Sequence, residues 1–302
     1  MAARAPTQWC TPGSAAALVQ MPRLLYLDQK DISNLAKLKV DSAARDELLG
    51  MVATDTVAVV MSSAHIIETA LLGHAALRSQ ITGFVDAELR PSWWLYDFEE
   101  LAREEVAICL NRDYGGRPEP LRPFHSAPLT SQFHVDPGTT FSAAVECARA
   151  HHDSKASTFW DNLERYAGSR ERGRAQCDND PIPKANIRDF IYESMPTRTA
   201  TGMTLTSECR RVYANELDVN RCPAISLWIA ALETKSHDKQ RRITRSEAPD
   251  LLHLTAVPYC DVTTLDAEMY SVVFQHGRAR RFSDRIARNV CDAVERLHAP
   301  PR

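Results

Sequence analysis

Three short apolar runs, each followed by an acidic or hydroxyl-bearing residue, set the frame of the chain. Leu24-Leu25-Tyr26-Leu27 ends on Asp28. Val57-Ala58-Val59-Val60-Met61 gives way to Ser62-Ser63, and Val262-Thr263-Thr264-Leu265 ends on Asp266. Runs of this length suit strands, and the second, rich in β-branched residues, suits one buried in a parallel sheet. Between them the spacing switches to the helical period. Ile32, Leu35, Ala36 and Leu38 fall on one face after the first run. Ile66, Ile67, Ala70 and Leu71 do so after the second, with Ser62-Ser63 as the cap. Strand, helix, strand, helix in this order implies right-handed crossovers and an α/β fold with a central parallel sheet.

The pattern predicts further helices over 97–110, 224–232, 247–257 and 281–298. Residues 111–140 carry Gly115-Gly116, Pro118, Pro120, Pro123, Pro128, Pro137 and Gly138, and predict a loop or linker. Residues 141–220 are helical but weakly amphipathic, with a polar interruption at 168–180, and are expected as an insertion outside the sheet. The chain then divides into a disordered tail (1–20), a first half of the core (21–110), a loop and helical insertion (111–220), and a second half with a C-terminal helix (221–302).

Composition narrows the possibilities. The chain has 302 residues, is 44% hydrophobic and 25% charged, and carries a formal net charge of −3, ordinary for a globular protein. No apolar run approaches a bilayer span, and Ala15–Val19 is too short for a secretory signal, so a cytoplasmic protein without a membrane partner is expected. Eight scattered cysteines, none forming a Cys-x-x-Cys pair, are expected as reduced core residues and exclude a zinc knuckle. Basic residues gather at Arg165–Arg174, at Lys239, Arg241, Arg242 and Arg245, and at Arg278–Arg288. The second group runs directly into an acidic segment and is the candidate for guiding a nucleic-acid backbone.

The acids carry the chemistry. Parallel sheets bind ligands beyond the carboxyl ends of their strands, where Asp28 and Asp266 are expected. Glu68 lies early in the helix after the second strand, and Asp250 shares a helix face with Glu247 three residues before it. Taken singly, Asp28 serves equally well as a helix cap and Glu68 as a dipole partner. Together, Asp28, Glu68, Asp250 and Asp266 would repel one another unless a cation neutralised them. Oxygen donors select hard ions, hence Mg2+ or Mn2+. Glu247, Asp261, His65, His253 and Thr264 are expected behind the ligands, touching them and not the ion. Asp261 is otherwise a turn residue, and each histidine otherwise a satisfied core residue.

Tyr26-Leu27-Asp28-Gln29 resembles the first motif of PIN-like domains. Ser62 to Glu68 resembles the second segment of a bacterial PIN-like subgroup. Ser246 to Asp266, with Asp250, His253, Pro258-Tyr259-Cys260-Asp261 and Asp266, is similar to its third and fourth motifs. The resemblance implies a three-layer α/β/α PIN-like fold and a metal-dependent endoribonuclease. It further implies a toxin-like or RNA-processing role, single-stranded RNA as substrate and an inhibitor protein as a possible partner. Asp28, Glu68, Asp250 and Asp266 would hold the metal. A PIN-like fold kept as a non-catalytic RNA- or protein-binding module is the alternative. A haloacid-dehalogenase-type phosphatase wants a second Asp two positions after the first, where this chain has Lys30.

Overall fold

A computed structural model describes residues 21–116, 121–125, 139–153, 184–237 and 247–300. Its centre is a six-stranded sheet made of β1 (Arg23–Tyr26), β2 (Val57–Met61), β3 (Trp93–Leu95), β4 (Phe124–His125), β5 (Val262–Thr264) and β6 (Ile286–Ala287). The spatial order is β4-β3-β2-β1-β5-β6, parallel throughout except for β4, which runs antiparallel on the β3 edge. Arg23 to Tyr26 face Val57 to Val60 on one side of β1, and Leu25 and Tyr26 face Val262 and Thr263 on the other.

Side-chain alternation along the strands splits the core in two. Leu25, Leu27, Val57, Val59 and Met61 share one cluster. It is covered by α1 (Gln29–Ala36), α2 (Ser42–Ala53), α3 (Ser63–Ala70), α4 (Ala75–Phe84), α6 (Phe141–Asp153) and α12 (Val290–His298). Tyr26, Val60 and Leu95 face the other way. On that side lie α5 (Phe98–Asp113), α7 (Lys184–Ser194), α8 (Ser207–Glu216), α9 (Pro223–His237), α10 (Glu247–His253) and α11 (Ala267–Gln275). Helices therefore cover both faces, as near-continuous apolar strands require.

The helices end where their sequences dictate. Asp41 caps α2 by accepting from Ala44 N at 3.1 Å, and Asn289 caps α12 by accepting from Asp292 N at 3.0 Å. Along α12, Val290, Ala293, Val294 and Leu297 are buried, the i, i+3, i+4, i+7 stripe of a helix lying on a sheet. The Arg23 guanidinium donates to the carbonyls of Arg296, Leu297 and Ala299, tying the end of α12 to the start of β1. Asp86 accepts from Phe141 N and Ser142 N, fixing the first turn of α6 against the π-helical turn (Val85–Leu89) that follows α4.

Three local expectations are corrected. The segment 281–298 is not one helix: a 3-10 turn (Arg280–Arg285) and β6 precede α12, because Ile286 and Ala287 bury themselves beside β5. The Pro-rich stretch 111–140 contributes the edge strand β4. Residues 247–257 are helical only to His253, with a 3-10 turn over Leu254–Ala256. Described parts of 111–220 enter both cores. Phe141, Ala144, Val145 and Ala148 join the β1–β2 side, while Ile191, Met195, Leu205 and Ala214 pack with α5. Trp94 is buried and stacks with Phe141 at 6.2 Å, so it serves as packing.

Candidate metal centre

Chain order runs β1, β2, β3 outward on one side of the sheet and β5, β6 on the other, so it reverses between β1 and β5. The connections leaving these two strands part in opposite directions and open a crevice at their carboxyl ends. Asp28, two residues past β1, sits at the N-cap of α1 with an extended backbone (φ −61°, ψ 151°), yet its side chain forms no capping bond. Its backbone N–H instead donates to Thr264 Oγ1 at 2.8 Å, across the junction with β5. The Thr264 hydroxyl in turn donates to Asp31, one helical turn further on. Asp28 is 8% exposed and Asp31 7%.

Glu68, in the second turn of α3, reaches the same crevice from the β2 side, and His253, the last residue of α10, reaches it from above. His253 Nε2 lies 2.7 Å from Glu68 Oε2 and 3.8 Å from Asp28 Oδ1. One donor atom from each of Asp28, Glu68 and His253 fits within 4.8 Å of the others, the grouping a metal ion needs. Asp250 and Asp266 are outside that set but within electrostatic reach: Asp250 acts on His253, and Asp266 on Asp28. One Asp266 oxygen accepts from Met269 N at 2.6 Å and caps α11.

Behind His253 runs a chain of buried polar groups. Its Nδ1 is 2.7 Å from the Tyr26 hydroxyl, which is 2.7 Å from Ser62 Oγ. Ser62 N donates to His65 Nδ1 at 3.0 Å, and Ser62 Oγ lies 3.3 Å from the same nitrogen. His65 Nε2 is 2.7 Å from the Leu27 carbonyl. A carbonyl only accepts, so His65 carries its proton on Nε2, and Nδ1 offers its lone pair to Ser62. The chain thus starts at Glu68 and returns to the backbone immediately before Asp28.

The electrostatics follow from burial and neighbours. Burial pushes the Asp28 carboxyl above its usual range; Glu68 and Asp266 push the same way, while His253 opposes. Burial raises Asp31 to about 6, against the Thr264 hydrogen bond. Burial also works against a charge on His253, but Glu68, Asp28 and Asp250 outweigh it and push its pKa up to about 9. His65, buried and facing His253, is held well below the ordinary histidine range. The two carboxylates thus favour a proton on His253, which in the absence of an ion would offset part of their charge.

The expected residues divide accordingly. Asp28 and Glu68 come together. His253, expected behind the ligands, stands among them, and His65 supports them from behind through Ser62 and Leu27. Thr264 fixes the Asp28 backbone. Asp261 is corrected: its carboxylate accepts from Leu24 N at 2.7 Å, at the amino edge of the sheet. It is a turn residue, separated from the crevice by the length of β1. Lys239, Arg241, Arg242 and Arg245 lie outside the described residues, as does the Glu247 side chain. In the third basic group, Arg280, Arg281 and Arg285 donate to the carbonyls of Phe274, Asn220 and Pro258 and so serve the fold. Asp31 and Tyr26 were not anticipated. Asp31 carried a signal, since it follows Asp28 by three positions on one helix. Tyr26 carried none, being one more apolar residue in a strand.

Among the described residues no helix is long and apolar enough to cross a membrane. Comparison with family models, with curated proteins and with solved structures found no match to this chain.

Proposed function

We propose that this protein is a metal-dependent ribonuclease of PIN-like type, holding a divalent ion at the crevice between β1 and β5. The observation that carries the metal is the convergence of Asp28, Glu68 and His253 donors within 4.8 Å at the reversal of strand order. RNA as the substrate rests on the resemblance of the motifs around Asp28, Glu68 and Asp250–Asp266.

The donor set suits an ion: two carboxylate oxygens and one imidazole nitrogen, with Asp266 and Asp250 adding negative potential nearby. A bound divalent cation supplies Lewis acidity toward a phosphodiester and makes water a better nucleophile at neutral pH. The chain supplies the rest. Thr264 and the Leu27–His65 bond hold the backbone around Asp28, and Tyr26 holds the His253 ring. The half-exposed sides of Glu68 and Asp266 leave the crevice open to a substrate strand.

Asp28→Asn is expected to keep the circular dichroism spectrum and abolish manganese-dependent cleavage of single-stranded RNA. Undiminished cleavage by that variant defeats the proposal. A second reading, a PIN-like module that binds without cutting, is favoured by one observation: His253 Nε2 already stands 2.7 Å from Glu68 and 3.8 Å from Asp28, where a proton on it would offset their charge without an ion. Calorimetry separates the two, since a module of that kind takes up no manganese.

A further inference from the structure

We infer that His253 is itself a ligand, through Nε2, and that the crevice takes an imidazole-accepting transition ion such as Mn2+ in preference to Mg2+. The inference rests on the metal-dependent reading above and goes beyond it to the identity of the ion.

The geometry is the argument. Of the two ring nitrogens, Nε2 is the one directed at Glu68 (2.7 Å) and Asp28 (3.8 Å). Nδ1 is committed to Tyr26 on the opposite side of the ring. That division is the arrangement metal-ligating histidines show, one nitrogen toward the ion and the other fixed by an outer partner. Here the outer partner is itself fixed. Tyr26 is fully buried in β1 and bonded to Ser62, which is bonded to His65, which is bonded to the Leu27 carbonyl. The imidazole is also 4.9 Å from the His65 ring and 5.6 Å from the Tyr26 ring, both in edge arrangements that leave it little room to rotate. A ring locked on three sides presents its remaining nitrogen where the two carboxylates converge, and the ion takes the place of the Nε2 proton, which leaves to solvent on binding while Nδ1–H donates to Tyr26.

The consequence for the ion follows from donor chemistry. Magnesium demands oxygen ligands, keeps much of its water and gains little from an imidazole; manganese accepts imidazole and carboxylate together. An all-acid crevice would discriminate weakly between the two. Replacing one acid by His253 tilts the choice.

The test titrates the full chain with MnCl2 and with MgCl2. Binding is followed by calorimetry and by loss of the free-Mn2+ electron paramagnetic resonance signal. Wild type is expected to bind manganese at least about tenfold more tightly than magnesium. His253→Gln is expected to bring the two ions to similar affinity. Tyr26→Phe, which keeps the ring and removes the hydroxyl behind His253, is expected to weaken manganese by about 10- to 100-fold and magnesium far less. Should His253→Gln fail to fold, pulsed resonance on manganese-loaded wild type decides, because a coordinated imidazole imprints 14N coupling on the spectrum. Equal affinities for both ions, or manganese bound without 14N coupling, overturns this inference and leaves the nuclease reading standing. Binding of neither ion overturns both.

Discussion

Glu105 offers a quantitative test of how the two halves of the chain are joined around the crevice. It lies on α5, 3% exposed, and its carboxylate accepts from Ala224 N at 2.6 Å and Ile225 N at 3.2 Å, the first turn of α9. The Tyr259 hydroxyl, just ahead of β5, donates to the same group. Burial nonetheless dominates over these three donors and pushes the carboxyl from its ordinary 4.5 up to about 7. A carboxyl raised in the folded state binds protons more tightly there than in the unfolded chain. Its stabilisation is therefore complete below pH 4.5 and is lost as pH rises through 7. The difference is worth about 3 kcal/mol in full, of which about 2.5 kcal/mol falls between pH 5 and pH 8. Glu105→Gln keeps the shape and cannot titrate. Urea unfolding at both pH values should show wild type losing about 2.5 kcal/mol more than the variant over this interval. The variant itself should be weaker at pH 5, where its amide N–H2 meets the Ile225 N–H and one donor goes unpaired, at a cost of about 1–3 kcal/mol. Parallel losses in the two proteins would refute the assignment of a charge-averse Glu105.

Other consequences are checked more briefly. Thr264→Val removes the acceptor for the buried Asp28 N–H, and should cost about 1–3 kcal/mol in urea unfolding while also weakening manganese in calorimetry. Asp261→Ala removes the clasp on Leu24 N; a loss of about 1 kcal/mol is expected, with manganese affinity unchanged, because the two sites are distant and independent. A change in affinity there would mean that the amino edge of the sheet reaches the crevice. Manganese at about 100 times its dissociation constant should stabilise the fold by about 2.7 kcal/mol, reversibly with chelator. Scanning calorimetry of Asp28→Asn should show no such gain.

Much of the sheet was legible in the sequence because β1 and β2 appear as short apolar runs and β5, Val262-Thr263-Thr264, as a fully β-branched one. The remaining strands were not. Trp93–Leu95, Phe124–His125 and Ile286–Ala287 are two or three residues long, too short for any period to emerge, and only their neighbours make them strands. In the site, Asp28 and Glu68 were legible from their places after strands. The role of His253 depends on which way the end of α10 turns, a matter of packing that spacing does not encode. Asp261 and Asp266 bracket the three residues of β5 and Leu265, so both stand at strand ends. Only strand direction separates them, and in a parallel sheet the second alone faces the ligand edge. Tyr26 looked like core because it is core: its ring packs with Val60 and Leu95 while its hydroxyl serves the crevice.

The bonds that complete the pocket span most of the polypeptide. Tyr26 meets His253 across 227 positions, Asp28 meets Thr264 across 236, and Glu68 meets His253 across 185. During translation the acids therefore emerge long before the imidazole and the β5 hydroxyl that organise them. A nascent chain exposes carboxylates with no assembled cradle. Whatever the crevice holds, it can hold only after Thr264 has left the ribosome and closed on Asp28.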